Sequence, residues 1–316
     1  MLFFALRAGR ATLRALITVS AVALAAGIAV SVARAETPAQ TQVQAQAAAP
    51  FVSDRLSVEV VGSGPDVLLI PGLGSSREVW RAQADRLKAT HRVHLVQLAG
   101  FAGEPWSHGD GVFLQPVVDE LARYIAERTD GRPAVIGHSM GALTGLLLAQ
   151  QHPERVDRLM SVDSLPFFGS LFGPTATVES VRPMADRMAA GLAASSDEDF
   201  LASQRQTANG MSRNATERER IVQWSLATDR HALGAAMRDV MTTDARPGLA
   251  AMTTPVTALY ASDADGGAPA AMADALWGAQ YAGLPGVKLI RIDDSRHFIM
   301  ADQPDAFARA VDDFLK

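Results

Sequence analysis

The segment AVIGHSMGALTG, residues 134–145, sets Ser139 between Gly137 and Gly141 directly after an apolar run. A serine on a sharp strand-to-helix turn takes a strained backbone conformation that crowds the positions two before and two after it, and glycine at both removes the clash. Such a turn would push the Ser139 hydroxyl out at the carboxyl end of a sheet, where it could act as a nucleophile. A serine hydroxyl is too weak an acid to attack unaided, so an imidazole must take its proton. Of the seven histidines, His297 is the candidate base. It lies in KLIRIDDSRHFIM, between the last strand-like run and the final helical one, and so at the same end of a parallel sheet as Ser139. His138 adjoins the serine but its side chain should leave the turn in another direction, and His152 fits a helix C-terminus.

A third group must orient the imidazole and stabilise its charged form, which asks for a carboxylate near a strand end. Asp263, in ASDADGGAP after the run TPVTALY, is the first choice. Asp265 in the same loop and Asp163 in SVDSLP are alternatives, while Asp293 and Asp294 lie too close to His297 in sequence. A tetrahedral oxyanion needs donors already aimed at it, each worth about 10²–10³ in rate. The loop IPGLGSS, residues 70–76, and the start of the helix after Ser139 supply small residues and free amides, with the backbone N–H groups of Leu73 and Met140 as candidates.

These residues need a scaffold, and from residue 56 short β-branched runs alternate with amphipathic segments. The pattern predicts an α/β fold with a mostly parallel sheet covered by helices on both faces. Strands are expected near 56–61, 67–70, 93–98, 134–136, 159–162, 256–260 and 289–292, and helices over 77–89, 115–129, 140–151, 270–282 and 304–315. Residues 51–164 and 250–316 would form the core. Between them, 165–249 reads as helix and loop without a strand, which fits a helical cap inserted over one end of the core. Six of the eleven methionines fall between Met184 and Met252. With Phe167, Phe168, Leu171, Phe172 and Trp224 they would pack the cap together or line an adaptable apolar site below it.

Residues 1–35 read as an export signal, with Arg7, Arg10 and Arg14, then an apolar run over 15–32, then Ala33-Arg34-Ala35 as the cleavage site. Cleavage after Ala35 would place the protein in a periplasm or outside the cell; an uncleaved segment would make a membrane anchor. Residues 36–50, rich in Ala, Gln and Pro, read as a disordered linker. The net charge of −5 becomes more negative once this basic leader is removed, which argues against nucleic acid as a partner. The absence of cysteine excludes disulfides, thiolate metal sites and a cysteine nucleophile. His91 and His94 form an H-x-x-H pair without a third ligand in sequence, so neither a metal nor an organic cofactor is implied.

The loop PGLGSS, the GHSMG turn and the SRHF segment, in that order, resemble an α/β-hydrolase-fold serine hydrolase over nearly the whole chain after the leader. Two departures stand out. Pro71-Gly72 replaces the more usual His-Gly pair, and the glycine usual after the strand preceding the acid is absent. The resemblance implies a nucleophile, acid and histidine in that order, with Asp263, Asp265 and Asp163 all still open as the acid. It implies an esterase-like enzyme forming an acyl-enzyme on Ser139 and acting on a small-molecule ester, with acyl or aromatic groups of small to medium size. Aminopeptidase, lactonase, thioesterase or carbon–carbon bond hydrolase chemistry are alternatives on the same fold, and a non-catalytic binding protein is the alternative of another class. An aminopeptidase would need cap acids for the substrate amine, for which Glu179, Asp186, Asp197, Glu198 and Asp199 are available.

Overall fold

The computed structural model describes residues 50–316; the leader and nearly all of the linker expected from the sequence lie outside the described residues. Seven strands, β1 (Leu56–Gly62), β2 (Asp66–Ile70), β3 (Arg92–Leu98), β4 (Ala134–His138), β5 (Arg158–Val162), β6 (Val256–Ser262) and β7 (Lys288–Asp293), form one sheet ordered β1-β3-β2-β4-β5-β6-β7. Only β1 runs antiparallel to its neighbour. All seven fall where the β-branched runs predict them.

The central strands are apolar on both faces because helices cover both. Along β2, Leu68 and Ile70 point to one layer with Val135 and Leu98, and Val67 and Leu69 point to the other with Ile136 and Leu95. Helices α1 (Arg81–Leu87), α2 (Leu114–Arg128) and α3 (Met140–Gln151) follow β2, β3 and β4. The expected helix over 77–89 begins instead as a 3-10 turn, Arg77–Trp80, because the Ser76 hydroxyl accepts from Glu78 N and the Trp80 indole turns into the core. Helix α3 is buried from Met140 to Ala149, as its apolar sequence on every side demands.

Between β5 and β6 the chain forms α4 (Val178–Ala194), α5 (Asp197–Met211), α6 (Ala215–Ala227) and α7 (Arg230–Thr242), flanked by short 3-10 turns at Phe168–Phe172 and Arg246–Ala251. Helix α4 packs along α7 and α5 along α6, while α4 and α5, joined by two residues, scarcely touch. The chain closes with α8 (Ala270–Tyr281), the single turn α9 (Ile299–Asp302) and α10 (Pro304–Leu315). Helix α10 buries Phe307, Ala310, Val311 and Phe314 at helical spacing against the sheet face that α1 also covers.

The H-x-x-H pair is part of this scaffold. His94 Nε2 donates to Asp66 Oδ1 at 2.8 Å and His94 Nδ1 accepts from the Tyr124 hydroxyl at 2.8 Å, whereas His91 Nδ1 meets Thr90 Oγ1 at 2.9 Å. Asp66 also accepts from Arg92 Nε at 2.5 Å and from Asp130 N at 3.0 Å. Burial raises the Asp66 carboxyl, but the bonds from Arg92, His94 and Asp130 outweigh it and hold it at about 2, against an ordinary 3.8. A carboxylate held low stabilises the fold fully above its unfolded value and loses that contribution as pH falls through the folded value. Asp66→Asn should therefore lower unfolding free energy at pH 7 by about 2 kcal/mol. The gap to the parent, followed by urea unfolding, should close between about pH 4 and pH 2.

Candidate active site

The backbone at Ser139 has φ 54° and ψ −122°, a left-handed turn that ends β4 and starts α3. Its geometry depends on the two flanking glycines. A Cβ on Gly137 would sit 2.4 Å from the Gly141 carbonyl oxygen and 2.6 Å from Ala142 Cα; one on Gly141 would sit 2.4 Å from Ile70 O and 2.5 Å from Pro71 O. The second pair of contacts shows how tightly α3 starts against the end of β2. The turn is pinned by Ser139 N donating to Val162 O of β5 at 2.9 Å.

Parallel strands deliver the other groups to the same end of the sheet. Ile70 pairs with Gly137 across β2 and β4, and His138 pairs with Val162 across β4 and β5, so the residues just beyond these strand ends are neighbours. Beyond β2 lie Gly72 and Leu73, beyond β4 lies Ser139, and beyond β5 lies Asp163. His297 follows β7. Ser139, His297, Gly72 and Leu73 line one cavity of about 520 Å³ under α4–α7. Met140, the other candidate amide, is buried as the first residue of α3, where an N–H has no carbonyl one helical turn earlier.

The carboxylate on His297 is Asp163. His297 Nδ1 stands 2.7 Å from Asp163 Oδ2, and Asp163 Oδ1 accepts from Ala261 N at 2.9 Å. With Nδ1–H donated to Asp163, Nε2 is left with its lone pair, the form a general base requires. Asp163, like Ser139, has positive φ, 46°, and is held there by its own N–H to Leu259 O at 2.8 Å.

The sequence preference for Asp263 is thus corrected. Asp263 is 3% exposed, and its two oxygens accept from Arg296 Nε at 2.7 Å and Arg213 Nη1 at 2.6 Å. Burial raises its carboxyl, but the Arg296 bond and the charges of Arg213 and Arg296 prevail and keep it below the usual range. Asp265, the other carboxylate of that loop, is 81% exposed and lies 3.6 Å from Arg213 Nη1. Asp293 bonds Ser262 and Arg291.

His138 takes a place that the sequence reading did not assign. Its buried ring lies 4.5 Å from the His297 ring, and Nε2 donates to the His297 carbonyl at 3.0 Å. Burial, and then the neighbouring His297, push it well below the ordinary histidine range, and its Nε2 is engaged with the His297 carbonyl. Its adjacency to Ser139 was the only signal in sequence, and adjacency does not say which way a side chain leaves the turn.

The cavity walls are unlike one another. Met188 and Leu192 of α4 and Leu233 and Met237 of α7 form an apolar wall; Asp199, Ser203, Gln204 and Thr207, on one face of α5, form a polar one. The cap methionines therefore divide between roles, since Met188, Met211 and Met237 line the cavity and Met252 packs against the core. Of the five cap acids, only Asp199 lines the cavity, and Asp197 is paired with Arg230.

A sequence model described as the alpha/beta hydrolase family matches residues 67–310. The chain is 35% identical to a pimeloyl-[acyl-carrier protein] methyl ester esterase from Aeromonas salmonicida over 113 residues, 36% of this chain and 43% of that protein. To the enzyme of the same name from Vibrio atlanticus it is 32% identical over 123 residues, 39% of this chain and 45% of that protein. The match thus spans less than half the length of these relatives. Among solved structures, the enol-lactonase from Burkholderia xenovorans LB400 is similar with a TM-score of 0.66 and 20% identity, covering 82% of this chain and 96% of that one. A thermophilic esterase from Thermogutta terrifontis reaches a TM-score of 0.68 at 23% identity, covering 82% and 92%. At these identities the structural likeness establishes the shared fold.

The turn at Ser139 yields a direct test. Gly137→Ala should destabilise the protein by about 2 kcal/mol or more, because the new methyl meets backbone that cannot yield. Gly278→Ala in α8, where a Cβ meets nothing within 4 Å, should stabilise it by about 0.5–1 kcal/mol. Denaturant unfolding of the two variants measures both.

Proposed function

Because the chain belongs to the alpha/beta hydrolase family, we propose that it is a serine hydrolase of carboxylic esters, with Ser139 as nucleophile, His297 as base and Asp163 as the acid. The observation that carries this reading is the 2.7 Å contact of His297 with Asp163 in the loop that also walls the Ser139 cavity. The names of the relatives, esterases of a methyl ester, favour the same reaction class.

In this reading His297 Nε2 takes the Ser139 proton as Oγ attacks the ester carbonyl. The oxyanion is met by the N–H groups of Leu73 and Met140, and the imidazolium is balanced by Asp163. Collapse breaks the bond to the alcohol oxygen, which leaves with the proton from His297. Water then attacks the acyl-enzyme, again giving its proton to His297, and Ser139 is regenerated as the carboxylic acid departs. A cavity of about 520 Å³ fits an ester of small to medium size. The basic, apolar leader with Ala33-Arg34-Ala35 supports export to a periplasm or beyond as part of the same proposal. Asp199 favours a second reading, an amine-bearing substrate such as an aminoacyl ester or amide, because it brings a carboxylate to the cavity wall.

Hydrolysis of p-nitrophenyl esters from acetate to palmitate tests the proposal. Ser139→Ala should abolish turnover, and Asp163→Asn should lower kcat by about 10⁴ with the fold intact. Full activity after loss of Ser139 overturns the reading. Release of p-nitroaniline from aminoacyl anilides in preference to ester cleavage would favour the second one.

A further inference from the structure

The loop that carries His297 is fastened to the end of α5 and the turn between α5 and α6 by several hydrogen bonds. On the core side stand Asp263, at the end of β6, and Asp302, in α9. Asp263 bonds Arg296, the residue before His297, through one oxygen and Arg213, in the α5–α6 turn, through the other. Asp302 does the same with backbone groups and the Ser212 hydroxyl. Its Oδ2 accepts from Arg296 N at 2.8 Å, and its Oδ1 accepts from Arg213 N at 2.9 Å, Ser212 Oγ at 2.5 Å and Asn214 N at 3.2 Å. Phe298 N donates to Met211 O at 2.9 Å, and Arg296 donates to Asn209 O. His297 is therefore flanked on both sides by residues tied to the same turn. Its own remaining holds are the ring bond to Asp163 and the carbonyl bond to His138.

We propose that Asp263 is a positioning residue that acts on His297 through Arg296, and that the α5–α6 turn, joined to it through Arg213, is thereby part of the apparatus that places the base. The inference rests on His297 being the base of the proposed reaction. Two guanidinium groups converge on one nearly inaccessible carboxylate, so neither arginine can shift without leaving that charge less well compensated. Reaction geometry is sensitive to such shifts: a displacement of about 1 Å costs on the order of a hundredfold in rate.

The test uses the full chain, with Asp263→Asn, Arg296→Met, Arg296→Lys and Arg213→Met variants. Two readouts use the smallest reagents: the rate at which a small fluorophosphonate labels Ser139, and kcat and KM for the acetate ester. Asp263→Asn and Arg296→Met should lower both the labelling rate and kcat by about tenfold to a hundredfold while KM changes by less than about twofold. Arg296→Lys should recover part of the loss, and Arg213→Met should lose less. Labelling and kcat at the parent's level in Asp263→Asn and Arg296→Met, with only a lower unfolding temperature, would show a purely structural role and overturn the inference. If Asp263→Asn does not fold, Arg296→Met decides alone, since the Arg296 side chain is 25% exposed. A parent enzyme that the reagent fails to label at Ser139 defeats the underlying reading, and the inference with it.

Discussion

Everything at this site depends on a left-handed backbone at one non-glycine residue. Ser139 holds φ 54° because β4 ends and α3 begins within a single residue, and the space for that turn exists only where Gly137 and Gly141 carry no side chain. The cost of the turn is met by its surroundings: Ser139 N is bonded to Val162, α3 is buried almost from end to end, and its start lies against the carbonyls of Ile70 and Pro71. Strain of this kind survives only where neighbouring structure over-determines it. Asp163, strained in the same sense at the end of the next strand, is restrained in a similar way by Leu259 and Ala261 of β6.

The second organising principle is how charge is shared among a few buried groups. Of the carboxylates that reach the loop of His297, Asp163 and Asp263 each have their own cationic or potentially cationic partner. Asp263 is held by two permanent cations, which keep it ionised and committed. Among the described residues Asp163 meets no arginine, only the imidazole and a backbone N–H. A carboxylate already neutralised by guanidinium groups would do little to stabilise an imidazolium, so this division suits Asp163 to the histidine. His138 is buried, which disfavours a charge on its ring, and it supports the His297 carbonyl.

The helices between β5 and β6 form two pairs, α4 with α7 and α5 with α6, and the cavity lies between them. The α5–α6 pair contributes Ala208, Ile221 and Val222 to a small cluster around Phe298, the residue after His297. The α5–α6 pair and the His297 loop are therefore packed together as well as hydrogen-bonded. The wall that α5 offers the cavity is polar and that of α4 apolar, so a substrate there would meet a different chemistry on each side.

Much of this was legible in one dimension. Strand positions follow from β-branched runs flanked by turn residues, the cap from the long stretch without such a run, and the Ser139 turn from glycine spacing, since each is a local property of the chain. His297 was legible because it follows the last strand, which parallel topology carries to the same edge as Ser139. The choice of carboxylate was not. Asp163 lies 134 residues from His297 and is selected because β5 sits beside β4 in the sheet. Asp263 is withdrawn by Arg296, 33 residues away, which the pairing of β6 with β7 brings near, and by Arg213, 50 residues away, which the packing of the α5–α6 turn on the His297 loop supplies. Sequence thus determined which kinds of group stand at the strand ends. Tertiary structure decided which of them pair, because pairing depends on distances of a few ångströms between segments that the chain keeps far apart.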